Sequence, residues 1–351
     1  MTDQVTDGDL ARAVAILAAG GVIGLPTETV YGLAADAAHA AAVASIYRIK
    51  GRPADHPLIV HVASLAVAAQ WGEWTPSAQR LASAFWPGPL TLVLKRRHDA
   101  PPYASAGQDT VALRMAAHPV FQRLMQALAV VGITGLAAPS ANRFGRISPS
   151  CAAHVRSGLG QAVPLVLDGG AASVGVESTI VDLSRGTPVL LRPGGIGLQA
   201  LTDCLGQPVR LADTLASADV DAPRVPGALP SHYAPSVPLR LLPAGVLDER
   251  LRQRAEALAH AGATGTSASG ETGADWSGLR LAVWSPRPPV PQTGLVWRRQ
   301  PDDAAEAARQ LYAALHQLDA LAADCILVAQ PPDTPAWRAV RDRLQRAAAA
   351  A

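Results

Sequence analysis

The first 200 residues alternate short apolar runs with amphipathic helical segments, and this alternation constrains the fold more than any other feature. VIGLPT (Val22 to Thr27), PLIVHV (Pro57 to Val62), TLVLK (Thr91 to Lys95) and TVALRM (Thr110 to Met115) read as strands. ITGLAAPSAN, PLVLDGG, STIVDL and PVLLRPGG read as further strand-and-turn units. Helical spacing covers 38–49, 76–86 and 119–128, and a first helix with Leu10, Val14 and Leu17 on one stripe is capped by Asp7 or Asp9. Strands that are apolar on both sides need cover on both faces. The pattern therefore predicts an α/β fold with a twisted, mainly parallel open sheet between helices.

At 351 residues the chain is long for one core. Composition changes at about Gly206, where a segment rich in Pro, Asp, Ala and Ser, containing VPGALPSHYAP, shows little periodicity. The expected division is 1–206, an interdomain segment over 207–237 and a second, smaller α/β domain over 238–351. In the last part LRLLP, LRLAVWS and DCILVAQ are strand-like, two helical patterns separate them, and a helix from about Pro335 closes the chain. Gly262 to Gly273 reads as a flexible surface loop.

Charge and cysteine usage remove several function classes. Lys plus Arg is 30 against 28 for Asp plus Glu, too balanced for a protein living on bulk attraction to a phosphate backbone. Any nucleic-acid contact would be a weak one at a local patch. Cys151, Cys204 and Cys325 lie far apart, with no metal-ligand spacing and no disulfide framework. The acidic, polar start lacks a signal-peptide pattern, and no uninterrupted apolar run reaches membrane length, so the expected location is cytoplasmic with no membrane contact. GxxxxGK[ST], HExxH and GxSxG are all absent, so a nucleotide site here must be assembled from side chains on several loops.

Six segments carry such side chains. PTETVYGLAAD (Pro26 to Asp36) places Thr27, Glu28 and Thr29 at a strand end, where ligand sites of α/β sheets gather; read blandly, it is a capped turn with Tyr31 in the core. IKGRPADHPLIVHV sets Lys50 and Arg52 two apart at a helix-to-loop junction, with His56 and His61 beyond. Two cations, one a forked guanidinium, suit a polyphosphate, although a helix C-terminus also favours them. Thr110 and Arg114 are four apart on one strand, hence on one face; an arginine among apolar strand residues needs a carboxylate, from the protein or from a ligand. APSANRFGRIS supplies Ser140, Asn142 and Ser148, ESTIVDL supplies Glu177, Ser178 and Thr179, and LRPGG supplies Arg192.

In this order, PTETVYGL, KGRPADHPLIVHV, TVALR, PSAN, ESTIVDL and LRPG resemble the YrdC domain of the Sua5/YrdC/YciO family. PGALPSHYAP followed by a small α/β unit resembles the longer Sua5 branch, so the resemblance covers essentially the whole chain. It implies a YrdC-like catalytic domain with a concave site and a Rossmann-like second domain. The implied activity condenses L-threonine, bicarbonate or CO2, and ATP into threonylcarbamoyl-AMP and pyrophosphate for t6A modification of tRNA. Mg²⁺ would accompany ATP, and a downstream tRNA threonylcarbamoyl transferase would take the product. By resemblance, Thr29, His61, Arg114, Ala138 and Ser178 hold threonine. Lys50, Arg52, His56, Thr110, Ser140, Asn142, Ser148, Arg192 and linker Tyr233 hold ATP, with Lys50, Arg52, Ser140 and Asn142 as the catalytic set and the Tyr233 segment as a lid.

The residues fit that chemistry on their own terms. A guanidinium fork matches a carboxylate, the cations match growing phosphate charge, and no enzyme nucleophile is needed when a carbamate oxygen attacks phosphorus directly. Two other readings stand beside it: an enzyme handling carbamoyl-AMP made from carbamoyl phosphate, and a non-catalytic RNA-binding or ribosome-maturation protein. In VPGALPSHYAP a methionine and two basic positions common in relatives are replaced, and the closing PAWRAVRDRLQRAA keeps part of a glycine-rich family pattern.

Overall fold

The computed structural model describes residues 5–212, 223–227, 231–264, 276 and 278–349. The chain divides into two compact units, one of Met1–Phe144 with Ser148–Leu229, the other of Gly145–Ile147 with Pro230–Ala351.

The first unit opens with α1 (Asp7–Ala18), β1 (Ile23–Leu25), β2 (Gly32–Asp36), α2 (Ala40–Lys50), β3 (Ile59–Val62), α3 (Leu65–Trp71), α4 (Pro76–Phe85) and β4 (Leu90–Lys95). It continues through β5 (Thr110–Arg114), α5 (Pro119–Val130), β6 (Gly135–Ala137), α6 (Ala152–Leu159), β7 (Thr179–Asp182), β8 (Val189–Arg192), α7 (Leu198–Leu205) and β9 (Arg210–Leu211). Local chemistry sets the helix ends. Thr6 caps α1 in a reciprocal box with Asp9, so the cap is neither of the expected Asp7 and Asp9 but the residue before Asp7. Gly51, at φ 63°, ends α2 in the left-handed conformation that turns the chain from Lys50 to Arg52.

The nine strands run in the order β1-β2-β6-β3-β5-β4-β7-β8-β9. The α/β class holds, but the large ladder is mixed. Its pairs β3–β5, β4–β7 and β8–β9 are parallel, while β1–β2, β2–β6, β3–β6, β4–β5 and β7–β8 are antiparallel. A continuous apolar run reads alike in either direction, so the pattern could not fix it. PLVLDGG contributes one isolated bridge, Val166 to Gly24, rather than the expected strand. GLAAD, read as part of a loop motif, is β2.

The two faces of this sheet differ. One face sends Leu33, Val60, Leu92, Leu94, Val111, Leu113 and Val181 into a core shared with α2, α3, α4, α6 and α7. On the other, Leu25, Ala34 and Leu136 pack under α1 and α5 at the β1–β2–β6 end. Past that end, the described residues of the second face include a small buried apolar cluster of Ile59, Val93, Ala112 and Ile180, joined by Leu191 and Val225. Buried polar residues alternate with this cluster.

The second unit contains β10 (Leu239–Leu242), α8 (Ala244–Thr264), β11 (Leu281–Ser285), β12 (Leu295–Arg299), α9 (Ala304–Asp319), β13 (Cys325–Ala329) and α10 (Arg338–Ala348). Its four strands run β10-β13-β11-β12, and all three pairings are parallel. The strand not foreseen is β12, LVWRR, whose two arginines hide it in a hydropathy reading. α8 includes residues 262–264, and the rest of the expected Gly262–Gly273 loop lies outside the described residues, as do 213–222 and 228–230 of the interdomain segment.

Candidate active site

One rung crosses this second face. Leu136 of β6 lies opposite His61 of β3, His61 opposite Arg114 of β5, Arg114 opposite Thr91 of β4, and Thr91 opposite Ile180 of β7. Directly paired residues point to the same face, so His61, Arg114 and Thr91 stand side by side. A register shift between Ile180 and Val181 then places Arg192 of β8 opposite Ile180, the re-aiming that a bulge provides.

Arg114 is 4% exposed, so its charge must be met locally. Its terminal nitrogens donate to Glu28 Oε1 at 2.7 Å and Thr29 Oγ1 at 2.8 Å, and its Nε donates to the Gly88 carbonyl at 3.3 Å. The second Glu28 oxygen accepts the Ala117 N–H at 3.0 Å, and Thr27 Oγ1 lies 2.9 Å from Thr29 Oγ1. The carboxylate that a buried strand arginine demands thus comes from the protein. Three of five guanidinium donors are used among the described residues, leaving two for a ligand. His61 is 2% exposed and stacks edge-on against Phe121, with no hydrogen-bond partner at Nδ1 among the described residues. Burial first, and the Arg114 charge second, push its pKa down to about 3, so the ring is neutral at physiological pH.

Beside this cluster, Thr91 Oγ1 meets Ser178 Oγ at 2.7 Å. Arg192 donates to the Ser178 carbonyl through Nε and one terminal nitrogen at 3.0 and 2.9 Å, and to Ser178 Oγ at 3.0 Å. Its other terminal nitrogen donates to the Pro226 carbonyl at 2.9 Å, tying the segment around Val225 to the sheet face. Thr110 is buried on the same face as Arg114. Ala138 follows β6, its N–H bonded to the Ile59 carbonyl at 3.2 Å.

Lys50, Arg52, Ser140 and Asn142 also come together. The Lys50 amine is 3% exposed and donates to the carbonyls of Ser140 at 2.5 Å and Asn142 at 2.6 Å, while the Lys50 carbonyl accepts the Phe144 N–H at 2.8 Å. Arg52 donates to the carbonyls of His56 at 3.4 Å and Pro57 at 3.0 Å and lies over the Phe144 ring, against which His56 also packs edge-on. Burial first, and Arg52 second, hold the Lys50 ammonium well below the ordinary lysine range; the same two causes lower His56. The Gly32–Ser140 bridge and the Ala141 N–H to Tyr31 carbonyl bond tie this segment to the PTETVYGL strand.

Ser148 donates to Glu177 Oε1 at 2.6 Å, both residues buried. Tyr233 belongs to the second unit, where it is 1% exposed at φ 65° and packs against His232, Tyr312 and the Arg343 guanidinium. Glu28 and Thr91 were not among the residues singled out for binding. The signal for Glu28 was present, since Arg114 demanded a carboxylate and PTET offered one; Thr91 gave none, being one threonine in an apolar strand.

Residues 15–194 match the Sua5/YciO/YrdC family model, described as telomere recombination, and residues 196–349 match one described as the C-terminal domain of threonylcarbamoyl-AMP synthase. Threonylcarbamoyl-AMP synthase of Pyrococcus abyssi is 36% identical over 98% of this chain and 95% of the relative. That of Bacillus subtilis is 36% identical over 99% and 96%. The solved structure of P. abyssi Sua5 complexed with L-threonine is similar at a TM-score of 0.82, with 33% identity over 99% of this chain and 96% of that one.

Proposed function

The chain belongs to the Sua5/YrdC/YciO family in its two-domain form, and from that membership we infer that it is an ATP-using nucleotidyltransferase making threonylcarbamoyl-AMP for t6A modification of tRNA. Full-length similarity to synthases from two distant organisms supports the activity. The observation within the fold that carries it is the buried polar rung with Arg114, His61 and Thr91 on one sheet face.

L-Threonine lies along that rung. Its carboxylate takes the two remaining Arg114 donors, and Glu28 beside the guanidinium suits a zwitterion better than a bare anion. Thr29, His61, Ser178 and the Ala138 backbone line the rest. ATP lies toward Lys50, Arg52, His56, Ser140, Asn142 and Ser148, with Thr110 and Arg192 completing the nucleotide contacts of this unit. Among the described residues no group of three or more His, Cys, Asp or Glu side chains forms a metal cage. Mg²⁺ would enter on the phosphates, where a hard cation with several waters is at home, and would neutralise their charge.

Bicarbonate or CO2 carboxylates the threonine nitrogen, and the carbamate oxygen attacks the α-phosphorus as pyrophosphate leaves. Arg52 and Lys50 meet the charge that develops there, and the buried surroundings keep water from the carbamate and the mixed anhydride. A cytoplasmic tRNA threonylcarbamoyl transferase consumes the product. The test is pyrophosphate release from ATP and Mg²⁺ with threonine and bicarbonate omitted in turn, and mass spectrometry of the product. Release that needs both, with the mass of threonylcarbamoyl-AMP, is expected; release that needs neither sinks the assignment.

A further inference from the structure

The rung carries a hydroxyl proton that its own side chains do not use. Thr91 Oγ1 and Ser178 Oγ lie 2.7 Å apart, and either can donate to the other. Thr91 is 0% exposed and Ser178 1%. A hydroxyl has one proton and two lone pairs, so the pair holds two protons and four lone pairs. Their mutual bond uses one of each. Arg192, which can only donate, fills a Ser178 lone pair at 3.0 Å. Among the described residues the two hydroxyls meet no other polar group. Whichever way the mutual bond runs, one proton is left over without an acceptor from those residues. Burying a donor without an acceptor is costly, so such a site is shaped for a group that brings the acceptor with it.

The Arg192 contact favours one direction for the mutual bond. Arg192 clamps Ser178 at the carbonyl as well, at 3.0 and 2.9 Å. If Ser178 donated to Thr91, the stranded proton would belong to Thr91, inside the ladder on β4. If Thr91 donates to Ser178, both Ser178 lone pairs are filled and its O–H is left as a pure donor, polarised by two incoming bonds. The spare proton then sits on the residue just ahead of β7, at a strand end. It also sits beside Arg114. Thr91 is the cross-strand partner of Arg114, and Ser178, two residues before Ile180, faces the same side. Arg114 keeps two N–H groups beyond those given to Glu28, Thr29 and Gly88. Three unspent donors therefore gather on one part of the rung, two on a guanidinium and one on a hydroxyl, and a carboxylate has the lone pairs to take all three.

We propose that Thr91 is a positioning residue for threonine binding: it makes the Ser178 hydroxyl a donor, and that donor joins Arg114 on the substrate carboxylate. This rests on the synthase reading and adds to it a residue that acts without touching the substrate.

The test is a double-mutant cycle of wild type, Thr91→Val, Ser178→Ala and the combined variant. Valine keeps the β-branched shape of threonine and removes only the hydroxyl. Thr91→Ala, which removes the hydroxyl with a smaller side chain, guards against a packing fault of the valine. Isothermal titration reads L-threonine and ATP affinities separately. The expected loss of threonine affinity is about fivefold for Thr91→Val and for Thr91→Ala, and at least about tenfold for Ser178→Ala. Because Thr91 acts through Ser178, the combined variant matches Ser178→Ala and the two losses do not add. Thr91→Ser, which restores the hydroxyl, returns threonine affinity to within about twofold of wild type. ATP affinity stays within about twofold of wild type in the Thr91 variants, as a local effect on threonine requires. Unchanged threonine affinity in Thr91→Val and Thr91→Ala overturns the proposal. So does a Thr91→Val loss that persists in full on the Ser178→Ala background, or an equal fall in ATP affinity in both Thr91 deletions. Wild-type protein that does not bind threonine defeats the synthase reading instead, whatever the variants do.

Discussion

The two faces of the nine-stranded sheet are made from the same strands, yet they have opposite characters. On the covered face Val60, Leu92, Leu94 and Leu113 are 0% exposed and meet helices along the full width. On the other, alternate residues of the same strands are His61, Thr91, Thr110 and Arg114, buried as well, with Thr91 and Arg114 held by hydrogen bonds. Period-two alternation lets one strand serve both tasks, because neighbours point to opposite sides. The covered face carries stability and tolerates little change in volume. The second face carries polar groups whose partners must all be kept, or supplied by a ligand.

Breaking the polar face has the largest expected effect. Arg114→Ala leaves the Glu28 carboxylate buried without its ion-pair partner, which costs about 3–5 kcal/mol by denaturant unfolding. The same variant raises the threonine KM by at least about tenfold with ATP affinity little changed, as loss of a carboxylate clamp requires. Leu113→Ala, one residue earlier and facing the other way, costs about 2–5 kcal/mol by cavity formation and leaves both substrate affinities near wild type. If Leu113→Ala instead shifts the threonine KM as strongly as Arg114→Ala, the division between faces fails.

A smaller effect sharpens the contrast through pH. The native His61 pKa of about 3 lies below its ordinary 6.5, so between these values the unfolded chain binds a proton that the folded chain does not. Stability contributed by the neutral ring is full above about pH 6.5 and is lost as pH falls toward 3, at up to about 1.4 kcal/mol per unit. His61→Gln, polar but not titrating, removes that slope, seen as a flatter dependence of unfolding free energy between pH 6 and pH 4. An unchanged slope places the acid sensitivity elsewhere.

Much of this arrangement was legible in the sequence, and the exceptions have physical causes. β3, β4 and β5 were plain because their apolar runs are bounded by Pro, Gly and polar turns, and Thr110 and Arg114 fell on one face by spacing alone. β2 was hidden because GLAAD follows directly on PTETVY, whose polar residues read as loop. β12 was hidden because Trp297 is followed by two arginines at the exposed edge of the small sheet. For the site, sequence spacing could name Lys50 and Arg52 as a pair but could not show that the Lys50 amine rests on two carbonyls 90 and 92 residues away. It required a carboxylate for Arg114 but left open whether protein or ligand supplied it. Only the folded backbone decides that, by bringing Glu28 to within 2.7 Å.

The most direct measurement is a crystal structure of the chain with L-threonine and a non-hydrolysable ATP analogue. The account predicts threonine on the β3–β5–β4 rung with its carboxylate on Arg114, and the phosphates within hydrogen-bonding reach of Lys50 and Arg52. Threonine bound away from that rung, or phosphates that leave Lys50 and Arg52 untouched, would contradict it.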